Sequence, residues 1–273
     1  MSRIEQRFEN LKKQGRVALV PYITAGDPEP GVTVPLLHAL VEAGADLLEI
    51  GVPFSDPMAD GPVIQAACER ALKHHTSLHH VLAMVAEFRQ QDSETPVILM
   101  GYLNPVEVMG YETFAAEASE AGVDGVLTVD LPPEEAEDLV AALKNRQLDA
   151  IFLAAPTSDD DRLNKMASLG GGFLYYVSFK GVTGANRLDV ASVAAKLQQI
   201  RAHSKLPVGV GFGIRDAETA VAVAAVADAV VVGSALVKRI AELAESPQRI
   251  IGEAPSVIAE MRAAMNQSAA KSA

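Results

Sequence analysis

A closed (β/α)8 barrel built as a single domain, with one extra N-terminal helix, is the fold class this sequence predicts, and three observations predict it. Short apolar runs alternate with longer helical patterns, and the alternation completes eight times. The runs are apolar throughout rather than alternately polar, as strands are when a parallel sheet is covered by helices on both faces. The length of 273 residues suits one such barrel, for which about 250 are usual.

The elements follow in order. Within residues 1–14, Ile4, Phe8 and Leu11 are spaced by four and three, which places them on one face of an amphipathic helix. The apolar runs at 17–23, 46–52, 97–102, 125–129, 150–154, 173–177, 208–211 and 229–232 are the eight strands. Helices are expected at 32–43, 62–73 with 78–91, 111–121, 133–145, 159–169, 188–203, 216–225 and 234–244, then a tail helix at 254–265. Residues 267–273 are expected to fray. Strands so joined pair in parallel through right-handed crossovers. A doubly wound open sheet would alternate similarly, but no GxGxxG follows the first strand. With no linker or low-complexity segment, 1–273 reads as one domain.

Composition narrows the function classes. The formal charge of -12 repels phosphodiester backbones, so nucleic acid is excluded as a partner. The single Cys68 rules out an internal disulfide and a cysteine zinc cage, and reads as a buried thiol in a reducing compartment. No apolar h-region opens the chain and no run reaches the ~18 residues of a membrane span, so a soluble, cytoplasmic protein is expected.

In such barrels chemistry sits where strands end and βα loops begin. Glu49 lies inside the apolar second strand, where desolvation raises a carboxyl toward useful acid-base range. Its bland alternative is a buried strut paired with Lys or Arg. Asp60 closes a proline-stiffened loop just before the Pro62 helix start, and its bland alternative is a helix cap. Asp56, in the same loop, has the look of a turn residue. Glycines after strands six, seven and eight let backbone N–H groups approach an anion, so Gly184, Gly211, Gly213, Gly233 and the helix start at Ser234 are the expected phosphate cradle. Lys180, after strand six, offers Schiff-base chemistry as a rival. His74, His75, His79 and His80 crowd one turn away from the mouth with no acid beside them in sequence, and a solvated turn explains them better than a metal.

Over nearly its whole length the chain resembles the α subunit of tryptophan synthase. The resemblance is carried by Pro21-Tyr22-Ile23-Thr24-Ala25-Gly26-Asp27-Pro28, by Leu48-Glu49-Ile50-Gly51-Val52-Pro53-Phe54-Ser55-Asp56-Pro57-Met58-Ala59-Asp60-Gly61-Pro62, by Gly181-Val182-Thr183-Gly184 and by Gly211-Phe212-Gly213-Ile214. It implies retro-aldol cleavage of indole-3-glycerol phosphate to indole and glyceraldehyde 3-phosphate, with Glu49 and Asp60 as the catalytic acids. It also implies Tyr175 and Thr183 as supporting residues, and Tyr22, Met100, Leu127, Val129, Leu153 and Phe212 as the indole pocket. No metal or organic cofactor is implied in this chain. The partner is a pyridoxal-phosphate β subunit in an α2β2 heterotetramer, docked on the barrel mouth near Pro53, Phe54, Asp56, Asn104 and Pro132. Tyr22 stands where the family often has Phe, and Phe179-Lys180 departs from a common Arg-Ser, which puts lid behaviour in doubt. The alternatives are a Schiff-base aldolase using Lys180 and a non-catalytic subunit that senses a phosphate ligand for a partner.

Overall fold

In the computed structural model, residues 1–177, 189–211 and 213–272 are described. The first helix, α1 (Arg3–Lys13), begins with a capping box in which Ser2 and Glu5 satisfy each other's backbone N–H. Its apolar stripe of Ile4, Phe8 and Leu11 is buried, and Phe8 meets Phe173 with ring centroids 5.7 Å apart. The helix thereby plugs the lower end of the barrel, and each of those side chains contributes roughly 1.5–3 kcal/mol by leaving water.

The strands are β1 (Ala18–Thr24), β2 (Leu48–Gly51), β3 (Val97–Gly101), β4 (Gly125–Thr128), β5 (Asp149–Ile151), β6 (Leu153–Ala154), β7 (Leu174–Val177), β8 (Val208–Gly211) and β9 (Ala229–Val232). All pair in parallel, in the order β5-β4-β3-β2-β1-β9-β8-β7-β6. Eight strands become nine because the expected run 150–154 is divided at Phe152. Its first part pairs with β4 and its last part with β7, while the Phe152 carbonyl still accepts the Tyr175 N–H at 3.0 Å. One chain segment thus serves both ends of the sheet and brings the barrel to closure.

Inside and outside alternate along each strand, as the pleat requires. Ala18, Val20, Leu47, Ile98, Leu127, Ile151, Phe173, Ala229 and Val231 fill the interior with α1. Leu19, Ile23, Leu48, Ile50, Leu99, Val126, Leu174, Val210, Val230 and Val232 belong to the second core, beneath the helices.

Around the barrel run α2 (Pro30–Glu42), α3 (Pro62–Leu72), α4 (Leu78–Arg89), α5 (Leu103–Met109), α6 (Tyr111–Ala121), α7 (Glu137–Asn145), α8 (Asp160–Leu169), α9 (Val190–His203), α10 (Ala217–Ala224), α11 (Ser234–Glu242), α12 (Pro247–Glu253) and α13 (Ser256–Ser272). Two of these, α5 and α12, go beyond the sequence expectation. Helix α7 starts four residues later than expected, because residues 133–135, beginning with the second of two prolines, form a turn. Helix α13 continues to Ser272, past the point where fraying is expected. Ile258, Met261, Arg262 and Met265 anchor it by burial.

Asp46, expected within the second strand, stands before it with a different task. Its carboxylate accepts the Leu19 N–H at 2.9 Å. Asp124 does the same for Val97 at 2.8 Å, and Asp228 for Val208 at 2.9 Å. Arginines hold each acid: Arg262 and Arg16 on Asp46, Arg89 and Arg3 on Asp124, and Arg201 on Asp228. This lower face is built for stability, which leaves the upper face to the chemistry.

Candidate active site

Glu49 occupies the middle of β2 in register with Tyr22 on β1 and Ile98 on β3. It is 1% exposed, and neither carboxylate oxygen has a hydrogen-bond partner. The strut alternative is therefore set aside: no arginine or lysine among the described residues neutralises it. Burial first, and the nearby Asp60 second, push its pKa up to about 8. A glutamic acid in that state carries a proton at neutral pH and can surrender it.

Asp60 ends the loop between β2 and α3. It does not cap α3, whose N-cap is Gly61 without a side-chain bond. Its carboxylate instead accepts the Tyr102 hydroxyl at 2.9 Å, and its carbonyl accepts Gln65 Nε2 at 2.8 Å. Burial raises its pKa and the Tyr102 bond opposes the rise. The two carboxyls thus sit in unlike settings, one bare and one hydrogen-bonded, which is how an acid and a charged group are distinguished at one pH.

Two tyrosines complete the floor. Tyr22 is buried, with its hydroxyl 3.3 Å from Thr24 Oγ1. Tyr175, on β7, is half-buried, and both phenols are held well above their ordinary pKa by burial first, with the charge of Glu49 among the lesser causes. Each hydroxyl rests where a neighbouring strand carries glycine: a Cβ on Gly51 would overlap the Tyr22 hydroxyl, and one on Gly211 the Tyr175 hydroxyl. Gly211, expected to cradle phosphate, is thus required first by this close approach.

Met100, Val129 and Leu153 are half-buried and pack with Tyr175 on the interior core that contains Leu127. Gly213 has φ +78°, a left-handed conformation that glycine adopts without strain. Gly233 is the N-cap of α11, and a Cβ there would make only ordinary van der Waals contact with Tyr22, 3.9 Å away. Thr183, Gly184, Phe212 and Lys180 lie outside the described residues.

The rim residues differ in exposure. Pro53 is buried, and Phe54 is half-buried with its ring stacked on Tyr102 at 5.2 Å and 27°. The Phe54 ring gains more from stacking than from solvent, so it turns inward. Met58, 77% exposed, and Val108 on α5, 82% exposed, are the apolar groups that reach outward. Asp56 and Asn104 are exposed and Pro132 is half-buried. Tyr102 is the site residue that sequence reasoning missed; its signal is a polar-tipped aromatic at the end of the third strand. Among the histidines, His75 has φ +56° in the turn before α4, His80 closes a capping box with Ser77, and His79 does have an acid beside it, Glu117 at 3.2 Å. Among the described residues no group of three or more histidine, cysteine or acidic side chains is placed to hold a metal, and no helix is long and apolar enough to cross a membrane.

Residues 8–266 match the family model of the tryptophan synthase alpha chain. The tryptophan synthase alpha chain of Thioalkalivibrio sulfidiphilus is 64% identical over 97% of this chain and 100% of its own length. That of Nitrosococcus oceani is 63% identical over 97% and 98%. Among solved structures, subunit alpha from Legionella pneumophila superposes with a TM-score of 0.91 at 47% identity, covering 98% and 99% of the two chains. A chain of the tryptophan synthase α2β2 complex from Pyrococcus furiosus, described in terms of mutual activation, superposes at 0.83 with 39% identity over 90% and 98%. This single-domain (β/α)8 barrel, with one buried carboxyl on its second strand and another in the loop that follows, and matched in sequence over nearly its whole length, belongs to the tryptophan synthase alpha chain family.

Proposed function

We propose that this chain is a carbon-carbon lyase that cleaves indole-3-glycerol phosphate to indole and glyceraldehyde 3-phosphate, in the last steps of tryptophan biosynthesis. The observation that carries the reading is Glu49: buried, unpartnered, and with a pKa near 8 beside a second carboxyl that is hydrogen-bonded. The bond between ring carbon three and the glycerol side chain breaks only after that carbon is protonated and the ring becomes an indolenine. Glu49 delivers this proton. The resulting carboxylate then takes the proton of the adjacent side-chain hydroxyl, its oxygen becomes the aldehyde, and the bonding electrons return to the ring as indole leaves. Asp60, charged, stabilises the positive charge at the ring N–H. Positioned proton transfers of this kind contribute about 10² to 10⁴ each in rate.

Tyr22, Met100, Leu127, Val129 and Leu153 would wall the indole, with Tyr175 beside the reacting bond. The N–H groups of Gly213, Gly233 and Ser234, at a helix start, suit the phosphate. Every step is a proton transfer or a heterolysis that carboxyls serve, so the reading assigns no metal or organic cofactor to this chain. The partner is a pyridoxal-phosphate β subunit in an α2β2 assembly, which consumes the indole. Asp56, Met58, Asn104, Val108 and Pro132 are the rim positions offered to it.

The test is indole release from indole-3-glycerol phosphate, with and without a β-type partner, for the natural chain and Glu49→Gln. Release by the first and none by the second is expected. A covalent adduct at Lys180 trapped by borohydride, or tight ligand binding with no turnover in either setting, would sink the reading.

A further inference from the structure

One side chain outside the assigned machinery touches the candidate site at three points. Tyr102 ends β3 and is the N-cap of α5. It is 4% exposed. Its hydroxyl accepts the Ala59 N–H at 3.0 Å and donates to Asp60 Oδ2 at 2.9 Å. Its ring stacks on Phe54. Both ends of the loop that carries Asp60 are therefore pinned by one phenol. The phenol is itself anchored from behind, because the next residue, Leu103, donates its N–H to Asp130 Oδ1 at 2.8 Å.

We propose that Tyr102 is a positioning residue for Asp60: its hydroxyl, bridging the Ala59 N–H and the Asp60 carboxylate, holds that carboxylate in place as the charged partner of Glu49. This rests on the functional reading above and deepens it.

The physical need is plain from what surrounds Asp60. Among the described residues, the groups on which its charge acts are Glu49 from β2, Tyr22 from β1, Tyr175 from β7, Cys68 from α3 and Tyr102 itself, and none of these is a cation. Burial alone drives Asp60 toward its neutral form, and the Tyr102 bond is the interaction that opposes burial. Tyr102 in turn stays a donor, because burial and the Asp60 charge raise its own pKa. A neutral Asp60 could not stabilise a cationic ring, so the hydroxyl, by opposing burial at Asp60, favours the anion opposite the buried acid Glu49. The stack on Phe54 fixes the ring, and with it the direction of the O–H.

The test is the pH profile of kcat/KM for indole release by the full chain and by Tyr102→Phe, which keeps the ring and its stack but lacks the hydroxyl. Activity requires Asp60 ionised and Glu49 protonated, so the acid limb reports the first and the alkaline limb the second. A hydrogen bond to a charged acceptor corresponds to a shift of roughly one to two pH units. The expected result is an acid limb moved upward by about one unit, an alkaline limb unmoved, and kcat reduced at least about tenfold with KM within about threefold. A generally loosened site would not move one limb alone. An unmoved acid limb overturns the proposal. Fluorotyrosine incorporated in place of Tyr102, nearly isosteric and a stronger donor, should move the acid limb downward, and no movement there overturns it equally, even if Tyr102→Phe does not fold. If the natural chain releases no indole, the functional reading fails. The proposal is then decided by carbon-13 titration of the Asp60 carboxyl without substrate, which should titrate at higher pH in Tyr102→Phe and otherwise refutes it.

Discussion

Arg262, in the last helix, grips the carboxylate of Asp46 at the foot of the barrel, 216 residues away in sequence. Both side chains are almost fully buried. The pair ties α13 to the seam between β1 and β2, because Asp46 also accepts the Leu19 N–H. Removing one member of a buried pair strands the other, at a cost of about 3–5 kcal/mol. Arg16 still reaches Asp46 at 3.4 Å, so Arg262→Met should lie near the lower bound. Urea unfolding reads this as a lower midpoint, and a loss under about 1 kcal/mol would count against the pair as a fastener.

Glu49 makes stability depend on pH with a definite sign. Its pKa is about 8 when folded against an ordinary value of 4.5. Between those values the unfolded chain binds fewer protons than the folded one, so stability falls as pH rises. At about 1.4 kcal/mol per pH unit the span is on the order of 5 kcal/mol. Glu49→Gln removes this term, so the variant should match the natural chain near pH 4 and melt higher near pH 8. Thermal melts across that range provide the measurement; parallel curves for the two chains would refute the assignment.

The same group sets the upper edge of activity. Turnover that needs Glu49 protonated should decline as pH passes about 8. The kcat/KM profile for indole release should bend there, and a plateau continuing well beyond it would mean that Glu49 is not the acid.

Gly211 and Tyr175 should behave as one unit. A Cβ at 211 overlaps the tyrosine hydroxyl and its ring edge, so Gly211→Ala should destabilise by about 1–3 kcal/mol through overpacking. Combined with Tyr175→Leu, which withdraws the ring, the cost should shrink. A double-mutant cycle should show coupling of roughly 0.5–3 kcal/mol, and strict additivity would contradict the contact.

Val108 is exposed and outside the catalytic machinery. Val108→Asp should leave basal indole release unchanged while weakening association with a β subunit by about tenfold or more, as loss of an apolar anchor does. Calorimetric titration of the two subunits checks this, and unchanged affinity would remove α5 from the interface.

Much of the fold is legible in the sequence alone. Periodicity located all eight strand runs, because each strand must be apolar on both faces to sit between α1 and the outer helices. Glu49 announced itself as the carboxyl within such a run. Helix α5 escaped notice because Leu103–Met109 is short and carries only Val106 buried, too little for a 3.6-residue pattern to show. Asp46, Asp124 and Asp228 recur before strands in similar contexts, Ala43-Gly44-Ala45-Asp46, Ala121-Gly122-Val123-Asp124 and Ala225-Val226-Ala227-Asp228, yet their work as acceptors for a neighbouring strand appears only once strands are paired.

By itself the sequence determined the barrel, the strand carrying the buried glutamate and the family, since hydrophobic period and contiguous motifs are local properties of the chain. Only the tertiary structure decided that Asp60 is held by Tyr102 rather than capping α3, that Phe54 turns inward while Met58 turns outward, and that Gly211 serves Tyr175. Those outcomes depend on which groups from distant segments meet, on hydrogen-bond direction and on steric overlap, and none of these is encoded at a single stretch of sequence.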